Sequence, residues 1–190
     1  MTPTASLDIA VLGDSRDRDS RWEGNQSHER MVDPGGRVIP THALAVNGRT
    51  WMEIQSIEKG EENDLTKLLS RVDGSKIYSL ILWKLPDGKS IDQTSPKRDA
   101  TEYMQCAGSA DRMTVEVRRL KGKKFEHFVV GRAPNNGGNP EKRETIYWDS
   151  VETVVAPNEV FSSAEAAELF RSYYRTGWVP SSYVLRPLSI

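Results

Sequence analysis

Cysteine and histidine are the scarcest chemistry-bearing residues of this chain: one cysteine, Cys106, and three histidines, His28, His42 and His127. A thiol with a histidine base could carry nucleophilic hydrolysis, and Cys106 and His127 lie on segments that would pair as strands of one sheet. The setting argues against activation. Gln105 and Ala107 flank the thiol in an apolar strand, with no electropositive surroundings to hold a thiolate, so Cys106 reads as structural. The histidines lie on separate segments without a His-x-x-x-His or comparable spacing. A single cysteine excludes an intrachain disulfide and any zinc site built on two thiolates. No metal and no cofactor is expected.

The other nucleophile candidate is Ser15, in "VLGDSRD", where Gly13-Asp14-Ser15 follows an apolar run and resembles the nucleophile block of the GDS-type esterases. That chemistry needs a base histidine, usually in an Asp-x-x-His block near the C-terminus. Here the last histidine is His127, and Lys124 stands three residues before it. "NNGGN" at 135–139 has neither the strand-to-helix setting nor the lysine of a phosphate-binding loop. No catalytic residue is assigned, and a small hydrolase using Cys106 or Ser15 stays as the rival reading.

Binding surfaces are better represented. "RRLKGKK" at 118–124 is the densest basic patch; it reads as a solvated turn, or as an electrostatic dock for an acidic partner or a nucleic acid, though it lacks an aromatic residue for base stacking. Between Trp148 and Glu159 the sign reverses: Asp149, Glu152 and Glu159 occur with no lysine or arginine. That stretch could face a basic partner. Of the five tryptophans, Trp148 and Trp178 sit beside loops and turns, which makes them the interface candidates.

Elements to position these residues can be read from apolar spacing. Residues 1–36 form a polar, mixed-charge run with too few apolar side chains to offset its ordering entropy, and read as a flexible arm. Met52 opens a segment that would also serve as a protein start, so the arm need not belong to the native protein. From 37 to 190 a single domain is expected. Asn47-Gly48 marks a hairpin between strands at 42–46 and 50–57. Leu65, Leu68, Leu69 and Val72 give a helical stripe with Asn63 as its N-cap and Gly74 as its stop. A strand at 76–85 ends at Pro86-Asp87-Gly88, with another returning from Lys89. A meander follows at 102–106, 112–120 and 124–131. Met113, Val115 and Val117 alternate with Thr114, Glu116 and Arg118, which predicts a sheet covered on one side only. In "ETIYWDSVETVV", Ile146 and Trp148 alternate against Tyr147 and Asp149 across two short strands.

"SSAEAAELFRSYYRTG" closes the pattern. Ser162 and Glu165 form a capping box, Ala166, Leu169, Phe170 and Tyr173 an apolar stripe, and Gly177 a C-terminal cap. The fold class predicted is α+β, an antiparallel sheet with one face covered by helices and the C-terminal helix packed on it. Lysine plus arginine number 26 against 27 aspartate plus glutamate, so the summed field gives no general attraction to nucleic acid. No run of 18 apolar residues or N-terminal leader pattern is present, and a cytoplasmic protein with no membrane partner is expected.

The order of the "SLILWKLPDG" strand, a meander ending "VVGR" and the closing "EVFSSAEAAELFRSYYRTGWVP" resembles the small α+β immunity proteins of bacterial polymorphic toxin systems, often paired with deaminase toxins. In that family an apolar strand leads into an alanine-rich helix followed by Thr-Gly and a proline. Here these are Val160, Phe161, Ala164, Ala166, Ala167, Phe170, Thr176, Gly177 and Pro180. The layout spans residues 52–187 and leaves 1–50 outside, and this chain ends in "YVLRPLSI" where the family tends to carry an acidic or tryptophan-containing strand. The resemblance implies a non-enzymatic antitoxin that binds one cognate toxin, a deaminase or nuclease, and occludes its active site. Such toxins hold polyanionic substrates, so an acidic docking patch would suit them: Asp149, Glu152 and Glu159, with Trp148 as anchor. A generic regulatory domain using a sheet edge as its peptide site is the other alternative.

Overall fold

The computed structural model describes residues 40–54, 62–133 and 142–188. The expected arm at 1–36, with Ser15, His28 and Trp22, lies outside them, as do residues 134–141 with "NNGGN". Seven strands form one sheet: β1 (His42–Val46), β2 (Thr50–Ile54), β3 (Ser79–Lys84), β4 (Tyr103–Ser109), β5 (Arg112–Lys121), β6 (Lys124–Arg132) and β9 (Tyr183–Pro187), in the order β2-β1-β3-β4-β5-β6-β9. Every pairing is antiparallel. β7 (Glu144–Trp148) and β8 (Val151–Val155) make a separate two-stranded hairpin. The helices are α1 (Glu62–Leu69), α2 (Pro96–Asp99) and α3 (Ser163–Thr176).

The α+β class is as expected, and so is the closing helix. Ser162 caps α3 by accepting from the Glu165 amide, the Glu165 carboxylate accepts from the Ser162 amide at 2.8 Å, and Gly177 takes φ 70°. The inward stripe of α3, with Leu65 and Leu69 of α1, covers Leu44, Leu80, Leu82, Met104, Cys106, Val115, Val117 and Val130. Each fully buried aliphatic side chain contributes roughly 1.5–3 kcal/mol there.

Several local expectations need correction. Asn63 lies inside the first turn of α1 rather than before it. The strand expected from residue 76 begins at Ser79, because the Asp73 carboxylate accepts from the amides of Ser75 (2.8 Å), Lys76 (2.7 Å) and Ile77 (3.0 Å) and holds that backbone in a turn. No strand returns from Lys89. A 3-10 turn (Ile91–Gln93) and α2 occupy the segment, with the Ser90 amide bonded to Gln93 and Pro96 at the first helical turn, where its missing N–H costs nothing.

The largest departure concerns the second face of the sheet. Thr114, Glu116 and Arg118 are buried, not solvated. On one part of that face Ala43, Ala45, Ile81, Trp83 and Tyr103 pack with Leu85 and Ala100; on another, Ala107 packs with Ile146, Trp148 and Val155 of the hairpin. Coverage by segments remote in sequence cannot be seen in the alternation of one strand. Gly108 makes the hairpin's approach work: it has φ 134°, and a Cβ there would stand 2.8 Å from Ile146 Cγ2 and run into the Arg112 carbonyl.

Candidate partner-binding surface

Strand alternation sets the chemistry of the β7–β8 hairpin. Ile146 and Trp148 point inward with Thr153 and Val155, while Tyr147 and Val154 point out, 68% and 46% exposed. Tyr147 is the register partner of Glu152, which is also exposed. Asp149 occupies the turn with φ 52°, a left-handed conformation that aspartate tolerates, and its amide donates to the Gly74 carbonyl at 2.7 Å. The outer face therefore combines an aromatic ring, a valine and two carboxylates at one end.

The hairpin is fixed from behind. Trp148 stacks near Tyr78 with centroids 6.0 Å apart and donates its indole N–H to Thr153 Oγ1 at 3.0 Å. Arg112 Nη2 reaches Glu144 Oε2 at 2.6 Å at the open end. The Asp73 turn carries Gly74, so the loop before β3 anchors the hairpin tip.

These placements separate the four acidic-stretch candidates. Asp149 and Glu152 are exposed. Trp148 is buried at 7% exposure, so it supports the hairpin from inside and cannot be the exposed anchor. Glu159, 4% exposed, accepts two bonds from Arg186 at 2.6 and 2.9 Å and one from the Ala156 amide at 2.8 Å. It ties β9 to the segment before α3. Tyr147 was missed, although the Ile146/Trp148 alternation already pointed it outward. Trp178 is half-buried, with the Arg119 guanidinium 4.2 Å from its ring centre.

Cys106 and His127 do not meet. Cys106 faces the helices among Met104 and Val115, where burial pushes its thiol up to about 12 and keeps it protonated at neutral pH. His127 faces the other way. Its Nε2 lies 3.0 Å from Glu116 Oε2, the oxygen that also accepts from Gln105 Nε2 at 2.6 Å, and its ring meets Tyr103 edge-on. Neither ring nitrogen of His127 makes a hydrogen bond, so this contact lacks the alignment of an oriented base. The His127 side chain has 0% exposure, and the Gln105–Glu116 hydrogen bond ties β4 to β5 with the imidazole of β6 beside it. Sequence reasoning assigned Glu116 to a solvated face and so missed it. Among the described residues no three His, Cys, Asp or Glu side chains are grouped to hold a metal ion, and no helix is long and apolar enough to cross a membrane.

No family model, curated protein or solved structure matches the chain.

Proposed function

We propose that this protein is a stoichiometric protein inhibitor of the immunity type, docking on a basic surface of a toxin through the outer face of β7–β8. The observation that carries the reading is Tyr147: an aromatic side chain 68% exposed on a strand that is anchored from behind, with Glu152 opposite and Asp149 at the adjoining turn. A rigid aromatic anchor beside carboxylates fits a partner that must itself bind polyanions, since charge complementarity speeds encounter and excludes wrong partners. The resemblance of the closing helix to immunity proteins supports the toxin class, a deaminase or nuclease. The inert thiol of Cys106 removes the principal support for a cysteine hydrolase.

The test is one-to-one binding to the protein encoded beside this one, with rescue of growth on co-expression. Tyr147→Ala should weaken binding about thirtyfold or more, as a truncated anchor does. Glu152→Lys with Asp149→Asn should chiefly slow association and flatten its salt dependence. Unchanged affinity in all three substitutions would remove the hairpin from the interface; absence of both binding and rescue would remove the immunity reading itself.

A further inference from the structure

The β5–β6 ribbon carries a second surface, of opposite sign. β4 pairs with β5 only as far as Tyr103–Arg118, and β9 pairs with β6 only from Phe128. Residues 119–126 therefore extend past both neighbours as a two-stranded ribbon, closed by Gly122 and Lys123. At its end Leu120 and Phe125 are register partners, 45% and 40% exposed. Exposed Lys121 and Lys124 are register partners on the opposite face of the ribbon, and exposed Lys123 lies in the turn that closes it.

The charges are not equivalent. Arg119 pairs with Glu126 at 2.7 Å and lies over Trp178; Arg118 is buried over the Phe125 ring, 4.2 Å from its centre. Lys121 shares Glu126 at 3.7 Å, and the Glu102 carboxylate is occupied by the Leu120 amide. Five cations thus stand against two carboxylates, and those reaching furthest into solvent are lysines.

We propose that this tip docks on an anionic lipid surface, with Leu120 and Phe125 entering the interface and Lys121, Lys123 and Lys124 among the headgroups. Lysine is depleted from the cores of protein interfaces, whereas an element with apolar side chains on one face and lysines on the other and at its tip has the amphipathic composition of elements that lie in the bilayer boundary. A single-stranded nucleic acid would want an open aromatic face for stacking, and Arg118 covers that of Phe125. The sequence, with no run of 18 apolar residues, led to the expectation of no membrane partner, and a peripheral dock needs no such run. Locally, within a Debye length of about 8 Å, the tip is strongly positive. The proposal is independent of the toxin-binding reading.

Sedimentation of the full chain with phosphatidylcholine vesicles, with and without phosphatidylserine, tests it. Binding is expected only with phosphatidylserine and should fade as salt rises. Lys121→Glu, Lys123→Glu and Lys124→Glu together should lower it on the order of a hundredfold, and Leu120→Ser with Phe125→Ser about tenfold. Thermal unfolding checks that the variants fold; the single substitutions Lys123→Gln and Leu120→Ala give smaller losses of the same sign should the combined ones fail. Phe125→Trp should add blue-shifted emission on vesicles containing phosphatidylserine. Any of three results overturns the proposal: no sedimentation at low salt, binding indifferent to the apolar substitutions, or tighter binding to short duplex DNA with the same lysine dependence.

Discussion

Gly108 shows how much one residue can decide. Its φ of 134° belongs to a region that L side chains rarely adopt, and its missing side chain leaves the space into which Ile146 descends. A methyl group there meets backbone on one side, at Met113 Cα 2.8 Å away, so little can yield. Gly108→Ala should therefore destabilise the fold by about 3 kcal/mol, combining backbone strain with overpacking. Chemical unfolding measures this, and a loss below about 1 kcal/mol would mean that the hairpin is free to shift away from β4. Glu159 and Trp148 carry the same lesson for function. A carboxylate in an acidic run and a tryptophan beside a turn look like surface chemistry, yet each is used up by partners inside the molecule.

At the scale of elements, the Asp73 turn is the joint between β3 and the hairpin. Backbone amides of Ser75 and Ile77, then Lys76, hold its carboxyl below the ordinary carboxylate value. A depressed folded value means that the stabilisation is complete above the unfolded pKa, about 4, and is lost as pH falls through the folded one. The gap in melting temperature between the native chain and Asp73→Asn should stay constant from neutral pH to about 5 and narrow below about 4. Parallel melting curves throughout would show that the charge is not used. This joint was illegible in the sequence, where residues 76–78 read as strand, because a side chain competing for backbone amides leaves apolar alternation intact. By contrast α3 was legible to its caps: Ser162, Glu165 and Gly177 act within one helix, and its stripe needs only one partner layer. The outward turn of Tyr147 was equally legible, as a period of two. What single-strand patterns cannot carry is coverage from afar, which is why Thr114, Glu116 and Arg118, expected on an uncovered face, are buried.

At the scale of the whole molecule, nearly balanced charge conceals two ends of opposite character, the acidic tip of β7–β8 and the basic tip of β5–β6, on elements of unequal support. β5 lies between β4 and β6, with both faces covered and its amides and carbonyls paired on both sides through its middle. The β7–β8 hairpin is a sheet of two strands whose inner face rests on a small apolar cluster, held at its ends by the Gly74 carbonyl and the Arg112–Glu144 pair. A two-stranded unit lacks the cross-strand support that makes opening cost the full unfolding free energy. Local opening of the hairpin with the seven-stranded sheet intact is the expected consequence. Hydrogen exchange should reveal two levels: paired amides of β5 up to Arg118 and of β6 from Phe128 exchanging only on global unfolding, and those of β7 and β8 about tenfold or more faster. Binding of a protein on the outer face of the hairpin should then slow β7 and β8 selectively and leave β5 unchanged, since the bound partner opposes the local opening. Equal protection of both sheets in the free protein would show instead that the hairpin is an inseparable part of the core, and that partner binding draws on no local flexibility.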